Sequence, residues 1–240
     1  MRLNNRLRLL SSAALIAVIA VSFLATTSHA STARKTVAFA STPSGHGYWK
    51  VTSTGVVTAY GDARRLGSLT TPATAPIVGI AQTANGGGYL LVSSDGNVYA
   101  FGDAVDYGSM YGKVLNAPIV GIAESPDGGG YLLVASDGGV FAFGNASFHG
   151  SMGDQTLNAP IVGIAQTADG GGYLLVASDG GVFAFGNAIF QGSMGDQTLT
   201  APVVAVSQSP DGGGYLLTAL NGGPYAFGNA RVQGSSSPAV

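Results

Sequence analysis

No cysteine occurs among the 240 residues, which excludes disulfides, thiolate metal sites and a cysteine nucleophile together and leaves packing to hold the fold. Charge is nearly as scarce. Lys and Arg number 10 and Asp and Glu 12, 9% of the chain, where an ordinary soluble domain has about 25%. Glu124 is the sole glutamate, so a carboxylate pair for glycoside hydrolysis would have to come from aspartates. No Gly-x-Ser-x-Gly motif is present, and His46 and His149 sit at unrelated places, so no catalytic residue can be nominated and the chain reads as a non-enzyme. A zinc ligand set is missing. Asp127, Asp169 and Asp211, in Pro/Ala-Asp-Gly-Gly-Gly loops, are the only candidates for calcium, but they lack the ligand spacing of a calcium loop. No metal or cofactor is expected.

Glycine, in contrast, fills 38 positions, without the Gly-X-Y period of collagen, and points to a turn-rich β structure. With 46% apolar residues, 10 Tyr and 10 Phe, the chain can bury a sizeable core. Arg2, Arg6 and Arg8 precede the apolar run 9–25, which ends in the small residues 25–30. That is the layout of a secretory signal peptide cleaved after Ala30, with an uncleaved membrane anchor as the alternative. The exported part, 31–240, has 7 basic and 12 acidic residues, a net charge of −5. It offers no basic patch for nucleic acid, and no other segment long enough to span a membrane.

Ala-Pro followed by a β-branched pair recurs at Ala75, Ala117, Ala159 and Ala201, 42 residues apart each time, and a divergent copy begins near Arg34. Five copies thus cover 34–240: 34–74, 75–116, 117–158, 159–200 and 201–240. The third and fourth differ at only six positions, the mark of a recent duplication. In the third copy the runs Ile119 to Ala123, Tyr131 to Ala135, Val140 to Phe143 and Ser147 to Met152 predict four short strands, separated by Gly, Asp and Asn turn residues. A four-stranded unit of about 42 residues is the size of one β-propeller blade. The expected fold is therefore all-β, a five-bladed β-propeller of four-stranded repeats behind a signal-peptide helix. Strands apolar on both faces, such as Tyr131-Leu-Leu-Val134, suit blades packed between two neighbours. Gly79, Gly121 and Gly163, with Ala38 and Ala205 in the outer copies, keep the first strand small near a crowded axis. The alternative is an open β array, or a fragment that closes only by oligomerising, because no strand is left over to latch the last blade onto the first.

The stretch Gly-Tyr-Leu-Leu-Val-Ala-Ser-Asp-Gly-Gly-Val-Phe-Ala-Phe-Gly-Asn-Ala stands at 130–146 and again at 172–188. It resembles the Gly-Tyr-Trp-x-Val-x-x-Asp-Gly-Gly-Val-x-x-Phe-Gly-Asp-Ala repeat of secreted actinobacterial proteins. Gly47-Tyr48-Trp49-Lys50-Val51 keeps the Trp, and Asp62 and Asp103 keep the Asp. The resemblance implies a non-catalytic part of a secreted protein, of the kind that accompanies cell-wall or polysaccharide-degrading domains, and it carries over no catalytic residue.

Comparing the copies separates scaffold from free positions. Tyr48, Tyr89, Tyr131, Tyr173 and Tyr215 are invariant within the chain, as rings packed between blades with bonded hydroxyls would be; a set of sugar-stacking rings is the other reading. Asp62, Asp103, Asn145, Asn187 and Asn229 suit a turn in which the side chain bonds nearby backbone. Asp95, Asp137 and Asp179 precede Gly in the second hairpin, the strongest short hairpin signal. The pairs Asp154-Gln155 and Asp196-Gln197 lie on a loop the scaffold does not obviously need, expected on the same face as those hairpins. Together these seven polar residues are the candidate ligand-binding set. The last run of each copy varies most, with Arg65, Asp106, Phe148, Phe190 and Val232 aligned, as an outer rim would.

The expected function is a secreted, monomeric, non-catalytic binding or scaffold module for extracellular or cell-wall polysaccharide, since equivalent weak sites gain strength on a repetitive polymer. The alternatives are an interaction platform for an exported protein on the variable rim and, less favoured, a propeller hydrolase or lyase.

Overall fold

The computed structural model describes residues 35–232; the signal-peptide reading of residues 1–30 lies outside them. Fifteen strands form five three-stranded antiparallel sheets. The first sheet is β1 (Thr36–Ser41), β2 (Gly47–Thr52) and β3 (Val57–Gly61). The second holds β4 (Ile77–Gln82), β5 (Gly88–Ser93) and β6 (Val98–Gly102), and the third β7 (Ile119–Glu124), β8 (Gly130–Ala135) and β9 (Val140–Gly144). The fourth holds β10 (Ile161–Gln166), β11 (Gly172–Ala177) and β12 (Val182–Gly186), and the fifth β13 (Val203–Gln208), β14 (Gly214–Ala219) and β15 (Pro224–Gly228). In every sheet the register shifts once between first and second strand, as at Ile119/Gly121 against Ala135/Val134, which bends the first strand as a bulge does.

The fold is all-β among the described residues, but each blade has three strands rather than four. The run Ser147 to Met152 and its counterparts are extended connectors. Their polar backbone groups are used elsewhere: Met152 N–H donates to Gly138 O at 2.9 Å, while Gly150 O accepts the hydroxyl of Tyr173 in the next blade at 2.5 Å. Gly144 (φ 65°) and Gly150 (φ 127°) turn the chain out of the sheet plane. The connector thus crosses from one blade to the next and cannot continue the ladder of β9.

Four apolar cores lie between consecutive blades. In the third, Leu132, Val134 and Val140 meet Ile161, Tyr173, Leu175 and Ala177 of the fourth blade. The expectation of strands buried on both faces is met by β5, β8 and β11, which are buried along their whole length. First strands of neighbouring blades pack closely: a Cβ on Gly79 would lie 3.2 Å from the Ile122 side chain of the next first strand, which leaves room for little more than glycine or alanine there.

Among the described residues the first strands pack in series, β1 on β4, β4 on β7, β7 on β10 and β10 on β13, and no apolar core joins the fifth sheet to the first. Within the described residues the five blades follow one another as an open arc, the arrangement of the open-array alternative, with no packing seen there that closes the expected ring. The two outward faces are chemically distinct from the inner ones. Thr36, Lys50 and Thr52 stand where the third copy has Ile119, Leu133 and Ala135, and Thr218 and Pro224 stand where it has Val134 and Val140. Polar outer faces of this kind cap stacked repeats.

Candidate binding surfaces

Four of the five equivalent tyrosines act as rivets between blades. Tyr89, Tyr131, Tyr173 and Tyr215 are buried, and their hydroxyls donate to the carbonyls of Gly67, Gly108, Gly150 and Gly192 in the preceding connector. Burial pushes the Tyr89 phenol up to about 12. Tyr48 is the exception: no blade precedes it among the described residues, and it is 40% exposed and stacks on Tyr60 at 4.8 Å between centroids.

At one end of each blade the first hairpin is tied to the exit of the third strand. Thr42 and Ser44 donate to Asp62, and Asn85 Nδ2 donates to Asp103 at 2.7 Å. In the later copies the roles reverse: Asn145, Asn187 and Asn229 donate to Asp127, Asp169 and Asp211 at 2.5–2.7 Å. The Asp/Asn position is therefore half of a cross-linked pair 18 residues apart, rather than a self-contained turn, and one partner always carries the carboxylate. The hydrogen bonds hold Asp127, Asp169 and Asp211 below the usual carboxylate range, each led by a backbone N–H, from Gly129, Gly171 and Gly213 respectively. Asn145→Asp should therefore place two carboxylates against each other and lower the thermal midpoint. Adding Asp127→Asn should restore it, because the double variant reproduces the Asn85–Asp103 pair; a double variant as unstable as the single one would sink this account.

The seven candidate ligand residues lie at the opposite end of the blades. Asp137 and Asp179 accept the N–H of Gly139 at 3.0 Å and of Gly181 at 2.9 Å, each holding its hairpin turn. Asp95 accepts from Ser93 at 2.5 Å and, through its other oxygen, from Thr74 of the preceding copy at 2.7 Å. Asp154 and Asp196 are exposed and accept from the neighbouring amides of Gln155 and Gln197 at 3.1 Å. The expected proximity holds for the third and fourth copies: Met152 N–H bonds Gly138 O and Met194 N–H bonds Gly180 O, which sets 153–155 and 195–197 beside their own hairpins.

Sequence reasoning missed two features. Arg64 and Arg65, on the first connector, line grooves of about 420 Å³ and 380 Å³ at the first blade interface; a charge count per copy would have found them. The second is Glu124, at the end of β7, where the second, fourth and fifth copies have Gln82, Gln166 and Gln208 and the first has Ser41. Gln166 Nε2 donates to Ala123 O of the preceding blade at 3.0 Å, a bond that an ionised carboxylate cannot donate. Glu124 Oε2 is buried without a partner, and burial, then the charge of Asp103, push its carboxyl up to about 7. Since the folded state holds this proton more tightly than the unfolded one, stability should fall as pH rises from about 4.5 to about 7. Glu124→Gln should flatten that slope and stabilise the chain at pH 8 by about 1–2 kcal/mol, discounted for partial exposure. Urea unfolding at pH 5 and pH 8 checks it, and an unchanged slope would refute it.

No protein-family model matches the sequence, and none of the curated proteins does. Repeated three-stranded sheets packed face to face around an axis define a β-propeller fold. Among solved structures, the β-propeller domain of Myceliophteria thermophila Cps50 (Swd1) is similar, with a TM-score of 0.57 at 12% identity, over 84% of this chain and 67% of that one. The likeness is one of fold.

Proposed function

We propose that the chain is an exported, non-catalytic binding module for extracellular or cell-wall carbohydrate, and that its repeats are of the kind found in secreted actinobacterial proteins. The observation that carries this reading is the repetition of one polar edge along the arc. Asp154-Gln155 and Asp196-Gln197 stand exposed beside hairpins held by Asp137 and Asp179, so adjacent blades offer the same donors and acceptors at regular intervals. Equivalent weak sites of this kind favour a polymer with its own repeat. The layout of residues 1–30 supports export. The purified chain should bind a soluble cell-wall glycan, and combining Asp154→Ala, Gln155→Ala, Asp196→Ala and Gln197→Ala should weaken that binding about tenfold, the loss of one or two charge-assisted hydrogen bonds. Binding untouched by the fourfold change would remove these loops from the reading, and a folded chain that binds no glycan would remove carbohydrate altogether.

A second reading, a platform for an exported protein, is favoured by the rim. Phe148 and Phe190 are 57% and 56% exposed at the same place in consecutive connectors, with Ile189 beside them. Exposed aromatics repeated along one edge suit a protein partner.

A further inference from the structure

Charge is unevenly placed along the arc. Within residues 35–74, Lys35, Lys50, Arg64 and Arg65 face a single carboxylate, Asp62, a net of +3; within 75–200, Lys113 faces ten carboxylates, a net of −9. The net charge of the whole chain conceals this positive pole. Arg64 and Arg65 are both exposed, and neither side chain has a hydrogen-bond or ion-pair partner among the described residues. The aligned positions hold Val105-Asp106, Ser147-Phe148, Ile189-Phe190 and Arg231-Val232, so the tandem cation belongs to the first connector alone.

The two arginines line different grooves flanking that connector. Trp49 lines both; it is buried, and its Nε1–H donates to Arg64 O at 2.7 Å, which fixes the connector between them. The Arg64 groove adds Ser44, Asp62, Asn85 and Asp103, a set of donors and acceptors suited to sugar hydroxyls. The Arg65 groove contains no carboxylate; its walls include Val57, Ala59 and Leu66, with the hydroxyl-bearing Thr58 beside them. An unpaired guanidinium beside an apolar wall matches a saccharide that lays the C–H face of a pyranose on the wall and carries a carboxylate or phosphate at the ring edge or on an adjoining unit.

We propose that the grooves flanking Arg64 and Arg65 form a subsite for an anionic saccharide, with the Arg65 guanidinium pairing with its carboxylate or phosphate. The proposal rests on the carbohydrate reading above and adds charge selectivity to it. The acidic middle blades repel a polyanion, so such a ligand is held at the first blade.

The test measures binding of the full chain to four soluble probes: polygalacturonate, poly(glycerol phosphate) bearing sugar substituents, the neutral glucan laminarin, and polyglutamate. Arg64→Gln/Arg65→Gln and the fourfold loop variant are run beside the parent at low and high salt. At least one of the two anionic saccharide polymers should bind about tenfold more tightly than polyglutamate. That binding should fall about tenfold in Arg64→Gln/Arg65→Gln and weaken with added salt, while laminarin binding stays unchanged. Which of the two polymers binds names the anion. Polyglutamate binding as tightly as the saccharides would overturn the proposal, and so would acidic-polymer binding that survives the loss of both arginines. Laminarin binding without either anionic polymer would overturn this subsite and leave the carbohydrate reading standing, whereas a folded chain that binds no saccharide would overturn both.

Discussion

Tyr173→Ala is expected to destabilise the chain by about 3–5 kcal/mol, and Tyr48→Ala, at the same place in its own copy, by less than about 1 kcal/mol. The side chains are identical and the sequence around them is similar; what differs is the neighbour. Tyr173 is buried against Leu132 and Val134 of the preceding blade, donates to Gly150 O and accepts the N–H of His149. Removing it opens a cavity and leaves that carbonyl and N–H without a partner. Tyr173→Phe isolates the polar part and should cost about 1–1.5 kcal/mol. Tyr48 has no preceding blade to lose among the described residues. Urea denaturation of the three variants checks the series, and equal losses for Tyr48→Ala and Tyr173→Ala would mean that the first and fifth blades meet in solution.

Gly186→Ala should cost about 2–4 kcal/mol, from left-handed strain and overpacking together. Gly186 ends β12 with φ 65°, and a Cβ there would sit 2.2 Å from the carbonyl oxygen of Gly171 and 2.9 Å from the His149 ring. Neither neighbour can withdraw easily: the carbonyl accepts the N–H of Asn187, and the His149 ring packs on Tyr173. Gly222 is the control, with φ 83° but nothing within 4 Å of the added carbon. Gly222→Ala should show the conformational cost alone, about 1–2 kcal/mol. If the two alanine variants lose the same stability, the close approach at Gly186 contributes nothing.

The period, the first three strands of each copy and the repeated tyrosine were legible in the sequence because each recurs in all five copies, although the carbonyl that binds the hydroxyl in four of them lies 22–23 residues away. The connector was misread because Phe148 and Met152 give it the apolar look of an edge strand, while the groups that claim its backbone, Tyr173 and Gly138, lie in other segments. The Asp/Asn position looked like a local turn for a similar reason. Its partner is 18 residues away, and only the paired exchange of Asn85–Asp103 for Asp127–Asn145 betrays the contact. Arg64 and Arg65 were hidden by summing charge over the chain. Whether the ring closes could not be read at all, because it depends on the angle between blades, which the combined volumes of many interface side chains set.

An open arc also changes what the array tolerates over time. In a closed ring the number of blades fixes every interblade angle, so adding or deleting one unit disturbs all the others. In an arc, each unit meets only its neighbours, and an extra unit merely repeats an existing interface. The third and fourth copies, still alike at all but six positions, have the form of such an insertion. Copy number in this architecture is therefore free to drift by recombination, and the length of the polar edge can change without altering the fold of any single unit.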